Sequence, residues 1–129
     1  MFALNFYPEL YMDALLKGRK SATIRLGDKS DKYSSGQIVW ITAGRKYQVR
    51  QKLFTAVIDD VVVKRAGDLD IREVEKENLE FRSTDDVMTL LSRIYDRVVT
   101  PLEVVTIITF SPVRDDFREG NSEIFERWM

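Results

Sequence analysis

Between Tyr47 and Lys64 the chain reads YQVRQKLFTAVIDDVVVK, loosely alternating and rich in Val, Ile, Phe and Thr. β-Branched and aromatic side chains suit a pleated surface and lose rotamer freedom in a helix. The stretch therefore calls for a sheet, as two strands or as one long bent strand. Ala66-Gly67-Asp68 interrupts it. Strands need partners for their backbone groups, and the sequence supplies them. Phe2-Ala3-Leu4-Asn5-Phe6, Ala22 to Leu26, Ile38-Val39-Trp40-Ile41-Thr42 and Val104 to Phe110 all read as extended segments.

Helical signals lie between these strands. Pro8 and Glu9 suit a first turn, and Leu10, Tyr11, Ala14 and Leu15 share one helical face. Gly18 is placed to end that helix in a left-handed conformation, with Lys17, Arg19 and Lys20 at its negative end. Asp70 with Glu73 starts a short helix running to about Asn78. Ser83 with Asp86 opens the best helix, in which Val87, Leu90, Leu91, Ile94 and Tyr95 recur at spacings of three and four. The expected fold is α+β, a small curled mixed sheet or β-barrel of five or six strands with two or three flanking helices. A chain of 129 residues with no repeat or linker suits one domain over residues 1–113. Residues 114–129 are expected as a charged C-terminal extension with room for a last helix.

Two absences limit the chemistry. With no Cys, there is no thiol nucleophile, disulfide or zinc knuckle; with no His, there is no Ser-His-Asp relay. Reactive groups must come from Lys, Asp, Glu, Tyr, Ser, Thr or the backbone, and no cofactor is expected. No apolar run approaches the roughly 20 residues of a membrane span, and Met1 to Tyr7 lack a secretory signal's features. The expected compartment is the cytoplasm. A net charge of −1 conceals a split: ten Lys or Arg against two Asp from Lys17 to Lys52, and eight Asp or Glu against three Lys or Arg from Asp68 to Asp86. The basic segment suits phosphates or folds back against the acidic half.

Gly18-Arg19-Lys20-Ser21-Ala22-Thr23-Ile24-Arg25 packs three cations and two hydroxyls into eight residues. Taken alone it is a capped helix end running into a strand. In that strand Thr23 and Arg25 project to one side and Ile24 into the core, with Lys20 at the preceding turn. A hydroxyl and two cations so placed suit a phosphate, a carboxylate or a polarised carbonyl.

With Gly36 before the Ile38-Val39-Trp40-Ile41 strand, the helix ending Arg93-Ile94-Tyr95 and the Val104 to Phe110 strand, this signature resembles the ASCH domains. These are relatives of the PUA domains that bind RNA and modified nucleosides. The resemblance spans roughly residues 2 to 113. It departs at Gln37, where family members often carry Asp, and in the charged loop Gly27 to Gly36. The resemblance implies a PUA-like fold and a modified nucleoside or RNA as partner. One branch of the family removes acetyl from N4-acetylcytidine with a Lys, a Thr and a Glu. These match Lys20, Thr23 and, in the context Glu77-Asn78-Leu79, Glu77.

On a helix through residues 70 to 81, Ile71, Val74, Asn78 and Phe81 form a stripe with Glu77 close beside it, while Glu75 and Glu80 remain alternatives for the carboxylate. Lys20 either takes a proton from Thr23 as a neutral base or stabilises an oxyanion, and the glutamate protonates the leaving amine or activates water. Arg19, Arg25, Tyr33 and Tyr47 are the candidate substrate-binding residues. Trp40 is expected in the core. Two further readings are a non-catalytic RNA-binding module and a metal-assisted ribonuclease using Asp28, Asp31, Asp59 or Asp60. The aromatic tail, with Phe117, Phe125 and Trp128, suits packing on the domain or on a partner.

Overall fold

The computed structural model describes residues 2–113, so the expectations for residues 114–129 lie outside the described residues. Strand β1 (Ala3–Phe6) leads into helix α1 (Pro8–Leu16), then strands β2 (Ala22–Leu26), β3 (Ile38–Ala43) and β4 (Gln51–Arg65). A 3-10 turn (Ala66–Asp68), helices α2 (Ile71–Glu77) and α3 (Thr84–Tyr95), and strand β5 (Val104–Pro112) follow. Gly18, at φ 69°, ends the first helical segment as its position suggests. The five strands lie in the order β1-β3-β4-β5-β2, with β1 parallel to β3 and every other pairing antiparallel.

The β-rich stretch is one strand, and it is bent. The beginning of β4 pairs with β3 and its remainder with β5, overlapping only near Ala56 and Val57. The register slips between Ile58 and Asp60 against β5, and between Ile41 and Thr42 of β3. Each slip bends the strand and increases its local twist. The sheet therefore curls into a half-barrel rather than lying flat. Its edge strands β1 and β2 come to face one another, where Arg25 Nη2 of β2 donates to the Asn5 carbonyl of β1 at 3.0 Å. The two strands are not paired neighbours in the sheet, and this side chain spans them.

Two apolar clusters pack against the two faces of the sheet, since neighbouring Ile108 and Ile107 of β5 go one to each. One gathers Leu4, Phe6, Leu15, Val39, Ile41, Phe54 and Ile58; the other gathers Ile24, Val74, Val87, Leu91, Val105 and Ile107. Phe81 packs against both. Trp40 corrects the expectation of a core residue: it is 42% exposed, with the Lys52 ammonium 5.4 Å from its ring centre. The pleat explains this. Val39 and Ile41 are buried, so Ile38 and Trp40 must turn outward. Leu10 likewise lies on the exposed side of α1, while Tyr11, Leu15 and Leu16 are buried. Among the described residues no helix is long and apolar enough to cross a membrane.

Candidate functional site

Glu77 is the last residue of α2, and the helix is set firmly at its other end. The Asp70 side chain accepts from the Glu73 N–H, and Glu73 accepts from the Asp70 N–H, a reciprocal cap. The C-terminal end of α2 abuts the edge of β2. There Glu77 Oε1 accepts the Ile24 N–H at 3.0 Å, satisfying a backbone donor on an edge strand. Glu77 is 3% exposed.

The other carboxylate oxygen faces Lys20, which is 4% exposed. Lys20 lies just beyond the Gly18 turn, and its Nζ donates to Glu77 Oε2, to the Glu77 carbonyl and, at 2.7 Å, to the Ala22 carbonyl. Those three acceptors use all the donors an ammonium has. One of them is an end carbonyl of α2, where a cation also meets the negative pole of the helix. The ammonium stands 4.0 Å from the centre of the Tyr11 ring and 5.4 Å from that of Phe6. Burial pulls the Lys20 pKa down to about 8, and the Glu77 charge works in the opposite direction.

Thr23 and Arg25 share a face of β2, as their spacing requires. Arg25 Nε donates to Thr23 Oγ1 at 2.8 Å, and the guanidinium carbon lies 5.1 Å from the Phe6 ring centre. Burial lowers the Arg25 pKa, opposed chiefly by Glu77. Thr23 is joined to Arg25 rather than to Lys20. Beside these groups the seam between β1 and β2 opens as a cleft with a cavity volume of about 70 Å³. Asn5, Phe6 and Tyr7 line it from the β1 side, Thr23, Ile24 and Arg25 from β2, and Tyr11 and Glu77 from the helices beneath. Leu90, Leu91, Ile94 and Tyr95 of α3 close the remaining wall. At roughly 10–15 Å³ of such volume for one water, the cleft has room for a small head group and not for a whole nucleoside. A second hollow, lined in part by Leu10, Arg19, Leu79 and Glu80, shares Tyr11 and Glu77 as a wall.

The structure thus gathers Lys20, Thr23, Arg25 and Glu77. The alternative carboxylates do not join them: Glu75 and Glu80 are exposed. Arg19 is exposed and lies at the second hollow rather than in the cleft. Tyr33 is corrected as a stacking residue. It is buried, its ring edge-on to Phe2 and its hydroxyl donating to the Ala3 carbonyl at 2.9 Å, so no face is free for a base. Tyr47 is 92% exposed but sits in the β3–β4 turn, outside the cleft's lining. Asp28 binds Ser30, Asp59 accepts from Ser111 and Asp60 from the Val61 N–H. Among the described residues no three His, Cys, Asp or Glu gather as a metal-binding set.

Phe6, Tyr7, Tyr11 and Tyr95 are the cleft aromatics that sequence reasoning missed as site residues. Tyr11 and Tyr95 were legible only as members of apolar helical stripes. The available signal was the hydroxyl, since a tyrosine in a buried stripe needs a partner for it.

No family model matches the chain, and no curated protein matches it either. Solved structures do. An ASCH domain from Lactobacillus crispatus JV V101 superposes with a TM-score of 0.58 at 13% identity, covering 78% of this chain and 68% of that one. Protein EF3133 from Enterococcus faecalis V583, described by the family model DUF984, gives 0.59 at 17% identity over 78% and 68% of the two chains. The hypothetical protein PH0355 gives a TM-score of 0.61 at 17% identity over 87% and 98%. The bent β4, the half-barrel it forces and these likenesses agree: the chain has the PUA-like fold of an ASCH domain.

Proposed function

We propose that this protein binds an N4-acylated cytidine, free or within RNA, with the acyl group in the β1–β2 seam, and hydrolyses its amide. The observation that carries the reading is Glu77, which lines an acyl-sized cleft with Thr23 and Arg25 and is paired from behind with the buried Lys20, itself a wall of the second hollow. Burying two charges is costly even when they are paired, so a pair with its carboxylate at a cleft is a reasonable place to seek chemistry. A metal-assisted cut gains no support from the scattered carboxylates.

In this reading the water oxygen attacks the acyl carbon while Glu77 takes its proton, the C–N bond breaks, and Glu77 returns the proton to the leaving nitrogen. The products are a carboxylic acid and cytidine. Both Glu77 oxygens already accept one hydrogen bond each, and a carboxylate retains further lone pairs for the water. Lys20 keeps the carboxylate in place and balances its charge. Thr23 and Arg25 hold the polar edge of the ligand, and Tyr7 and Tyr95 at the cleft border replace Tyr33 and Tyr47 as partners for a base.

The test is incubation of the purified protein with N4-acetylcytidine, following cytidine by chromatography. Wild type is expected to release cytidine, with Lys20→Ala and Glu77→Gln slowed by at least about a hundredfold while still folded. One observation favours a second reading: all three Lys20 donors are already satisfied by the protein, as in a purely structural pair. RNA binding that weakens steeply with salt, without turnover, would establish that non-catalytic reading.

A further inference from the structure

Tyr11 stands out in the cleft because its hydroxyl is the one buried side-chain polar atom among the described residues that has no hydrogen-bond partner. The residue is 5% exposed and lines both hollows on either side of Glu77. Buried polar groups are nearly always paired, and an orphan calls for an explanation. Its ring has little freedom to turn the hydroxyl elsewhere. The Lys20 ammonium lies over its face, and Phe6 packs against it at 6.1 Å with the rings 87° apart. The phenol lies beside the Glu77 carboxylate and the Asn78 side chain, close enough to feel both, without a hydrogen bond of ordinary geometry to either.

We infer that the Tyr11 hydroxyl is a ligand-binding donor, reserved for the carbonyl oxygen of the acyl group that enters the seam. The inference rests on the amide reading and deepens it, by naming the group that meets the oxygen on which charge develops. Two neighbours of Tyr11 are already committed as donors: Lys20 has none left, and Arg25 donates from Nε to Thr23 Oγ1 and from Nη2 to the Asn5 carbonyl. The Thr23 hydroxyl accepts in that bond and keeps its own hydrogen for the polar edge of the ligand. A phenol suits the task, because it adds no charge to a site already holding a Lys–Glu pair and an Arg. Burial and the neighbouring Glu77 charge raise its pKa well above the usual tyrosine value, so it remains a donor throughout the working range. Placed before the ligand arrives, it needs no reorganisation during the reaction, the condition under which such donors are most effective.

The experiment is steady-state hydrolysis of N4-acetylcytidine by wild type and Tyr11→Phe, with thermal unfolding of both. Tyr11→Phe keeps the ring over Lys20 and removes only the hydroxyl. The expected result is a kcat lower by about a hundredfold, as for removal of one oxyanion donor. KM should change by less than about threefold and the unfolding midpoint should not fall, since the lost group had no partner in the protein. A kcat unchanged within about twofold, with wild type active, would overturn the inference and leave the amide reading standing. Loss of the folded state in Tyr11→Phe would also overturn it, by making the hydroxyl structural. A wild type that neither binds nor hydrolyses N4-acetylcytidine would overturn the amide reading and this inference with it.

Discussion

Lys20 and Glu77 form a buried pair in which the proton of the lysine is the less secure partner. With its pKa pulled to about 8 by burial, Lys20 loses its proton well below the usual lysine range. The pair then carries a net negative charge facing the cleft, which opposes the oxyanion formed on the acyl group. Hydrolysis should therefore fall as pH rises through about 8, and a rate that is flat or rising from pH 7 to 9 would contradict this role. Stability moves the other way. Below about 8 both folded and unfolded chains hold the proton and the burial penalty is fully present; above that value the folded chain releases it first. Where the unfolded chain binds more protons, stability increases with pH. Urea unfolding should show wild type gaining on Lys20→Met between pH 8 and the usual lysine pKa of about 10.4. Loss of activity alongside that gain separates the site from unfolding.

At the scale of elements, α2 acts as the mount for Glu77. It is short, and short helices owe their stability to caps and packing. Asp70→Ala removes one half of the reciprocal cap and should cost about 1 kcal/mol of stability. It should also lower activity more than stability alone accounts for, because the first turn sets where the last residue lands. An Asp70→Ala protein with wild-type kcat and an unchanged unfolding midpoint would show that α2 is positioned by its apolar face alone.

Most of this layer was legible in the sequence. The spacing of Thr23 and Arg25, Gly18 as a helix stop and the Asp70–Glu73 cap all specify local geometry. Glu77 was legible as a carboxylate beside an apolar stripe. Its bonds to Lys20 and to the Ile24 N–H were not, since they join segments more than fifty residues apart. Trp40 was misplaced because Ile38-Val39-Trp40-Ile41 is apolar throughout, and such a run conceals which alternation faces inward. Tyr33 was misplaced because its loop folds back onto β1, giving a polar segment a buried ring.

For the whole molecule, the long strand is the origin of the site. Two slips of register bend β4 and its partner β3, the bend curls the sheet, and the curl leaves β1 and β2 facing each other without pairing. An unpaired edge needs cover. Here Arg25 spans the gap and Glu77 takes up an edge N–H, so the groups that finish the half-barrel are also those that line its opening.

The central claim is that this seam is the ligand site, and it can be mapped residue by residue. The measurement is a titration of nitrogen-15-labelled Glu77→Gln protein with N4-acetylcytidine, slow enough in turnover to remain in its bound state. The largest amide shifts are expected at Thr23, Ile24, Arg25 and Tyr95, with Tyr47 and the β3–β4 turn unmoved. Shifts confined to that turn, or to the outer face around Trp40, would contradict the placement of the site.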